Sequence, residues 1–368
     1  PRSTQGVSSA ASDVYKRQGE YTMKNMKRSH FSGLIKKTGL AVIASTFLLA
    51  APIAQADGHV KPAVVYDTAG KNDKSFNEAV FVNGVTKFMN DTGIAVTELE
   101  PTNEAMMEQS LKKFAQRGYT PVIAVGFTMA NAVAAAAAEY PDTQFTIIDG
   151  VVDAPNVQNV IFKEHEGSFL VGVMAAMASN SGTVGFVGGM DIPLISRFEC
   201  GYKQGVAHHD SSMNVLAQMT GSTPAAWGNP TKGGEITRSQ VENGADVVYA
   251  AAGGTGIGVY QTAADMGVLA IGVDSNQNYM QPGTMLTSMY KKVGLAAYES
   301  FAAAVDGSWS GGFKVNGVAE DGVGAAMDEY NADLVSADML AAVNTARAGI
   351  IDGSIVVHDY MSDNTCPL

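Results

Sequence analysis

Three aspartates stand directly after short apolar runs that predict buried strands: Asp67, Asp149 and Asp274. Their carboxylates could carry acid–base chemistry. They could equally accept hydrogen bonds from the hydroxyl groups of a neutral ligand. The sequence contains no G-x-S-x-G, H-E-x-x-H, Walker or C-x-x-C motif beside them. Ligand binding is therefore a more economical interpretation than catalysis.

The loop after Asp67 ends in a predicted helix that opens with Ser75, Phe76 and Asn77. Ligands bind at the carboxyl ends of strands in open α/β sheets. An acid, an aromatic ring and an amide at one such junction suit a ligand with a flat apolar part and polar edges. The alternative is a strand end, a turn and a Phe that belongs to the core.

A glycine-rich segment, AAGGTGIGVY, follows another predicted strand and opens a helix. Its glycines run G-x-G-x-G, which fails the G-x-G-x-x-G spacing of a dinucleotide site. Glycine lets a backbone approach a ligand closely because it has no side chain. Gly253 and Gly254 are therefore candidates for backbone contact with a ligand, and a tight strand-to-helix turn is the alternative.

Strand and helix signals alternate along the chain, which predicts an α/β fold with parallel sheets covered by helices on both faces. Two such runs meet near Asn156–His165. Helices are predicted at Glu104–Arg117, Met129–Tyr140, Gly167–Ser179, Gly233–Asn243 and Ile257–Met266. Strands are predicted at Ala63–Asp67, Ile94–Leu99, Val122–Gly126, Gln144–Asp149, Thr183–Gly188, Asn214–Gln218, Asp246–Ala251, Val268–Asp274 and Thr284–Ser288.

The amino-terminal residues predict export. Residues 1–22 have no periodicity, and we interpret them as a non-native leader sequence. Residues 23–56 combine a basic region, a short apolar region and the small-residue triplet AQA, the pattern of a signal peptide cleaved near Ala56. With no Cys at that point, we expect a periplasmic protein without a stable membrane anchor.

The remaining 312 residues are enough for two domains. Residues 1–56 hold eight of the basic and two of the acidic residues, so the mature chain has a net charge of about −18. That charge argues against nucleic acid as a partner, which needs a basic surface. We expect no cofactor and no metal site. Cys200 and Cys366 could pair in an oxidising compartment, but Cys366 lies in a predicted tail, so their pairing stays open.

Several blocks in order along the chain carry a specific resemblance: DTAGKNDKSFNEA, EGSFLVGVMAA, TVGFVGGMDIPLISRFECGYKQGV, AIGVDSNQN and PGTMLTSMYKKV. Over about residues 61–303 the chain resembles the basic membrane protein family, the PnrA-like substrate-binding proteins of ABC importers. The resemblance implies a type I periplasmic-binding fold with two doubly wound parallel-sheet lobes joined by a hinge. We expect an N-terminal lobe at 60–161 plus about 275–290, and a C-terminal lobe at 162–274 plus about 291–368.

The resemblance also implies a purine nucleoside held in the interlobe cleft, with its base between two aromatic rings. Phe76 would lie under the base, with Asn77 beside it. Asp67 and Asp149 would face the base edge or the sugar, and Gly253 or Gly254 would offer backbone contact. A second group would serve the sugar: Asp274 would accept its hydroxyls, and Lys291 would lie near it or pair with an acid.

The segment GSTPAAWGNP departs from the family pattern. It makes Trp227 the second ring and puts Asn229 where the family has an acid. The resemblance implies a monomeric receptor that delivers a nucleoside to a permease and its ATPase, with no enzyme activity. The alternatives are a binding protein for another ring-bearing ligand such as riboflavin, and an exported nucleoside-cleaving enzyme that uses the strand-end acids.

Overall fold

The computed structural model describes residues 60–368. The predicted leader, the predicted signal peptide and the expected cleavage point near Ala56 lie outside these residues. None of the helices at residues 60–368 has the length and apolar character needed to span a bilayer.

Six strands form the first sheet: β1 Ala63–Val65, β2 Thr97–Leu99, β3 Val122–Val125, β4 Phe145–Ile148, β5 Val157–Phe162 and β11 Gly312–Asn316. Their order is β11-β5-β4-β3-β1-β2, and every pairing is parallel. Strands β1, β3 and β4 are buried along their whole length. Continuous apolar runs of this kind are typical of parallel strands that helices cover on both faces.

The second sheet also has six strands: β6 Thr183–Met190, β7 Asn214–Gly221, β8 Val247–Ala251, β9 Leu269–Asp274, β10 Met285–Lys291 and β12 Val323–Ala325. Their order is β12-β10-β9-β8-β6-β7. The pairings are parallel except that β12 runs antiparallel to β10. Two parallel-dominated sheets with helices confirm the predicted α/β architecture.

Helices lie between successive strands, and the last helix, α10, follows the last strand, β12. They are α1 Phe76–Val80, α2 Lys87–Thr92, α3 Glu104–Gln116, α4 Ala130–Glu139, α5 Glu164–Ala178, α6 Pro193–His209, α7 Pro230–Glu242, α8 Gly256–Met266, α9 Val293–Asp306 and α10 Ala337–Asp352. A π-helical stretch, Phe81–Thr86, joins α1 to α2. Helices α5 and α6 pack closely because small residues face each other. A Cβ on Gly201 would lie 2.3 Å from the backbone oxygen of His165.

The chain crosses between the two sheets at three places, and these differ from the expected boundaries. We expected 275–290 in the N-terminal lobe, but β10 pairs with β9 in the second sheet. The return comes later, because α9 packs on the Phe81–Thr86 stretch and β11 pairs with β5 in the first sheet. The crossings therefore lie near Lys163, near Lys292 and at 317–322. Two backbone bonds join them, from Lys163 N to Asn316 O and from Lys292 N to Gly322 O.

The carboxyl-terminal segment is attached to helix α6. Cys200, on α6, and Cys366 form a disulfide with their Cα atoms 5.6 Å apart. The sequence left this pairing open because Cys366 belongs to a stretch without a strong helix or strand signal. The disulfide makes that stretch part of the second lobe rather than a free tail.

Candidate functional site

A cavity opens between the carboxyl ends of the strands of the two sheets. It encloses about 720 Å³ of space, part of which is open to solvent. Residues that follow β1, β3 and β4 form one wall. Residues that follow β6, β7 and β8, together with the last residues of β9 and β10, form the other. Seven of the predicted site residues lie on these walls: Asp67, Phe76, Asp149, Trp227, Gly253, Asp274 and Lys291.

Asn77 supports the cavity wall from behind. It is fully buried, and its side-chain amide donates to Asp67 Oδ1 at 2.7 Å and to Asp73 Oδ2 at 3.3 Å. We expected Asn77 beside a ligand ring, but the structure places it behind Asp67, where it fixes the direction of that carboxylate. Burial raises the pKa of Asp67 to about 6, against the opposing effect of the bond from Asn77.

Asp73 explains why a helix begins at the Ser75–Asn77 segment. Its carboxylate accepts hydrogen bonds from the backbone N–H groups of Ser75 at 2.9 Å, Asn77 at 3.0 Å and Glu78 at 3.0 Å. These are the unpaired donors of a helix N-terminus. Asp73 thus caps α1 and holds Phe76 at the cavity. This capping role was not predicted from the sequence, although Asp73 stands just before the helix start.

Aromatic and apolar side chains line both walls. The half-buried Phe76 lies on the wall of the first sheet, and the half-buried Trp227 lies on the opposite wall. Phe127, Ile195 and Phe198 extend the apolar surface. A flat aromatic ligand fits such a surface, because stacking on an aromatic side chain tolerates any ring with a π face.

A glycine in the second sheet makes room for Trp227. The indole sits in the 3₁₀ turn Pro224–Gly228, and a Cβ on Gly189 would lie 2.2 Å from its ring carbon Cζ3. Asn229 caps helix α7 by accepting from the N–H of Lys232 at 3.0 Å. The residue that replaces the family acid therefore serves the helix that follows the Trp227 turn.

The two candidate glycines are placed differently. Gly253 lies on the cavity wall at φ 55°, a left-handed conformation that favours glycine. Gly254 is next to the backbone of Trp227 and Asp73 and is not on the wall. Of the two alternatives, Gly253 is the one that could offer its backbone to a ligand.

Asp274 links the two lobes as well as lining the cavity. Its Oδ2 accepts from Ser75 Oγ at 3.0 Å, and the neighbouring Gln277 donates to the Lys74 backbone oxygen at 2.7 Å. Burial raises the pKa of Asp274 to about 6, although Lys291 and the bond from Ser75 oppose the shift.

Lys291 is the centre of charge in the cavity. Its side chain is 1% exposed; its ammonium pairs with Asp149 and lies 2.8 Å from Glu164 Oε1. Burial alone would lower the pKa of Lys291, but the carboxylates of Asp149, Glu164 and Asp274 outweigh burial and raise it, so the ammonium stays charged.

The carboxyl groups of Asp149, Glu164 and Asp274 surround this ammonium, and the environment makes Asp149 harder to ionise than a free aspartic acid. Burial and the nearby Glu164 raise the pKa of Asp149 against the effect of Lys291. Its Oδ1 atom is buried and has no hydrogen-bond partner among residues 60–368. An unpaired buried acceptor is costly, and a ligand hydroxyl would satisfy it. The same ammonium lies 5.3 Å from the Phe76 ring centre, which adds a cation–π contact.

A family model described as "ABC transporter substrate-binding protein PnrA-like" matches residues 60–359. The chain belongs to this family. An ABC transporter nucleoside-binding protein, BmpA, of Lactococcus lactis subsp. cremoris is 31% identical over 81% of this chain and 89% of that protein. A lipoprotein of Pyrococcus abyssi is 29% identical over 79% of this chain and 77% of its own length.

A solved structure supports the fold of this PnrA-like chain. An ABC transporter solute-binding protein from Aeropyrum pernix K1 superposes with a TM-score of 0.74 at 26% identity, over 81% of this chain and 94% of that one. The two sheets are thus those of a type I periplasmic-binding fold, as the sequence predicted.

Two residues at or near the cavity of this PnrA-like protein, Thr128 and Glu164, were not predicted from the sequence. Thr128 lies three residues after β3 on the cavity wall, and among residues 60–368 its buried Oγ1 atom has no hydrogen-bond partner. Gly126 and Phe127 separate it from the strand, so the strand-end rule that selected the aspartates does not reach it. Glu164 carries no such signal, because its importance comes from ion pairs with residues far along the chain. Within residues 60–368, no group of His, Cys, Asp and Glu side chains is arranged to hold a metal ion.

Proposed function

We propose that this protein binds a purine nucleoside in the cavity between its lobes and delivers it to the permease and ATPase of an ABC importer. One observation carries the proposal. Two aromatic residues, Phe76 and Trp227, lie on opposite walls of the cavity, and both walls also carry buried carboxylates. A nucleoside has this combination of a flat base and a hydroxyl-rich sugar.

The base would stack between Phe76 and Trp227. Asp67 lies at the end of β1 and presents a carboxylate oriented by Asn77, so it would accept hydrogen bonds from N–H groups on the base edge. Gly253 would contribute backbone contact. Membership in a family of substrate-binding proteins and the name of the Lactococcus relative support a nucleoside as the ligand.

The sugar would lie between Asp149, Asp274 and Lys291. Hydroxyl groups can donate to the unpaired Oδ1 of Asp149 and to Asp274, while Lys291 donates to a sugar oxygen. Each charge-assisted bond of this kind contributes roughly 1.5–3 kcal/mol.

The apolar surface also suits a larger ring such as the flavin of riboflavin, which lacks a ring sugar.

Export of the protein to the outside of the cytoplasmic membrane is part of the proposal. It is supported by the signal-peptide pattern of residues 23–56 and by the lipoprotein name of the Pyrococcus relative. We propose that it acts there as a monomer, closing its lobes around the ligand by rotation at the three chain crossings.

Mass spectrometry of small molecules released from protein purified without added ligand tests this function. A nucleoside at near-stoichiometric amount supports it, and riboflavin or another ring ligand would replace it. Calorimetric titration with guanosine, adenosine, inosine, cytidine, uridine and riboflavin then ranks the candidates. Chromatography of the same mixtures checks for a free base. Base release at catalytic rates would favour the nucleoside-cleaving alternative instead.

A further inference from the structure

The carboxyl-terminal segment is held on helix α6 by three kinds of bond. The Cys200–Cys366 disulfide closes its far end. Gln204 and the backbone of His358 exchange two hydrogen bonds, at 2.7 and 3.0 Å. Asp359 receives the guanidinium of Arg197, with Nε 2.7 Å from Oδ1 and a second bond from Nη2 to Oδ2.

Arg197 carries this attachment into the protein interior. Its side chain is 6% exposed, and its Nη1 atom donates to the Phe162 backbone oxygen at 2.7 Å and to Glu164 Oε2 at 2.9 Å. A bidentate guanidinium pair fixes both partners in one geometry. Asp359 therefore sets where Arg197 can present its remaining donors.

Glu164 connects Arg197 to the ligand cavity. It is the first residue of α5 and its side chain is 1% exposed. One carboxylate oxygen faces Arg197, and the other lies 2.8 Å from the Lys291 ammonium, which in turn pairs with Asp149. The result is an unbroken row of alternating charges from the tail to the cavity: Asp359, Arg197, Glu164, Lys291 and Asp149. All are buried except Asp359, whose side chain is 30% exposed.

We propose that Arg197 and Asp359 are positioning residues for the ligand site, and that the disulfide-anchored tail is a working part of that site although it touches no ligand. The inference rests on the proposed function in one respect, the contact of Lys291 with the sugar. A buried charge that loses one partner must find another or neutralise. Without Asp359, Arg197 draws Glu164 towards itself, and Lys291 turns further onto Asp149.

The surroundings of Asp359 favour Arg197 as its partner. Burial alone would raise the pKa of Asp359, but the Arg197 guanidinium outweighs it and lowers that pKa to about 2. His165 lies 3.9 Å away through Nδ1. Burial and the charge of Arg197 lower the pKa of His165 to about 3, so this imidazole stays neutral at physiological pH.

The first test needs no ligand. Crystal structures of Asp359→Asn and Asp363→Asn are compared with that of the parent. Asp363 is the matched control, since it lies in the same segment and its partners among the described residues, His358 and Thr365, lie there too. In Asp359→Asn we expect Glu164 to move towards Arg197 and the 2.8 Å contact with Lys291 to lengthen. An unmoved Glu164 and Lys291 would overturn the inference, whether or not the protein binds nucleosides.

The second test measures nucleoside affinity by calorimetry. We expect about tenfold weaker binding for Asp359→Asn, near-parental binding for Asp363→Asn and recovery of most of the affinity in Asp359→Glu. The parent is then compared with Asp359→Asn on 2′-, 3′- and 5′-deoxynucleosides. If Asp359 acts through Lys291, the tenfold difference shrinks for the analogue that lacks the hydroxyl next to Lys291. An equal loss on all analogues would indicate general destabilisation and contradict the inference.

A double variant, Cys200→Ser with Cys366→Ser, tests the attachment without changing any charge. Without the disulfide, the end of the segment is free, and Asp359 is held less firmly against Arg197. We therefore expect a loss of nucleoside affinity that depends on the analogue in the same way but is smaller. This variant also serves if Asp359→Asn does not fold. Parental affinity for every analogue in the folded double variant would exclude the disulfide from the site. A parent that binds no nucleoside would refute the proposed function, while the crystallographic comparison would still decide the positioning of Lys291.

Discussion

At the scale of single residues, Asp274 accepts a hydrogen bond within the protein and would accept others from the proposed ligand. Its carboxylate accepts from Ser75 Oγ and lies on the cavity wall. Two hydroxyl donors at roughly 1.5–3 kcal/mol each predict that Asp274→Ala weakens nucleoside binding about a hundredfold or more. Calorimetry on the folded variant measures this.

Ser75→Ala is the control for the internal bond of Asp274. It removes the protein donor but keeps the carboxylate, so we expect it to change the affinity much less than Asp274→Ala. If Asp274→Ala instead lowers the melting temperature and keeps its affinity, the carboxylate serves only the junction with Ser75.

The aromatic pair makes a second residue-scale prediction. Stacking of a base on an aromatic side chain is worth roughly 1–3 kcal/mol, so Phe76→Ala or Trp227→Ala should each weaken binding about tenfold to a hundredfold. A stacked base should also quench the emission of Trp227. The chain has two tryptophans, and Trp309 donates to Thr146 Oγ1 at 3.2 Å in the first lobe, away from the cavity wall.

Trp227→Phe separates the two readouts. It keeps a ring on that wall and removes the indole, so the quench should vanish while affinity stays within a few-fold of the parent. Unchanged fluorescence of the parent at saturating nucleoside, together with parental binding by Trp227→Ala, would leave Phe76 as the sole base platform.

At the scale of elements, the turn that carries Trp227 depends on a glycine in β6. A Cβ on Gly189 would overlap the indole at 2.2 Å, which real contacts never show. Gly189→Ala should therefore displace Trp227 and weaken nucleoside binding by about tenfold or more, measured by calorimetry. Gly221→Ala is the matched control, because Gly221 ends the neighbouring strand β7 and its Cβ would meet Ala226 at an ordinary 3.5 Å. Equal effects of the two changes would contradict the role of Gly189.

The elements also show why sequence reasoning succeeded for some strands and failed for others. Strands with continuous apolar runs, such as Val122–Val125, are specified locally and were predicted close to their observed bounds. Strand β11 is short and largely exposed at a sheet edge, and it exists through pairing with β5 about 150 residues earlier. The sequence predicts a junction between two runs at Asn156–His165, where the structure has strand β5 followed closely by helix α5. Pairing between strands that are far apart in sequence depends on the tertiary structure, so local sequence patterns do not predict it.

The residues of the candidate site also fall into those that local sequence predicts and those that it does not. The strand-end rule placed Asp67, Asp149 and Asp274 at one cavity because topology brings carboxyl ends of parallel strands together. The resemblance to the family placed Asn77 beside the base, whereas its buried amide donates to Asp67. The links from Glu164 to Lys291 and Arg197 join residues more than 30 positions apart, and spacing along the chain carries no sign of them.

At the scale of the whole molecule, the buried acids make stability and binding depend on pH in opposite ways. Folding raises the pKa values of Asp67 and Asp274 to about 6, above their ordinary value of 3.8. Between about pH 4 and 6 the folded protein therefore holds more protons than the unfolded chain, so the free energy of unfolding contributed by these groups falls as pH rises. Asp359, with its pKa lowered to about 2, stabilises the fold above about pH 4 and loses this effect as pH falls towards 2.

The effect of pH on nucleoside binding has the opposite sign to the effect of Asp67 and Asp274 on stability. The N–H and O–H groups of a nucleoside donate most strongly to ionised carboxylates, so binding strengthens as pH rises. We expect affinity to rise several-fold or more between pH 5 and pH 7.5. The increase in melting temperature caused by saturating nucleoside should also be larger at pH 7.5 than at pH 5, since ligand bound to the folded state adds to its stability. Calorimetry and thermal unfolding across this range measure both quantities.

Asp67→Asn and Asp274→Asn should each flatten the dependence of affinity on pH while lowering affinity at pH 7.5. A parent whose affinity does not change from pH 5 to 7.5 would show that these carboxylates do not bind the ligand as anions.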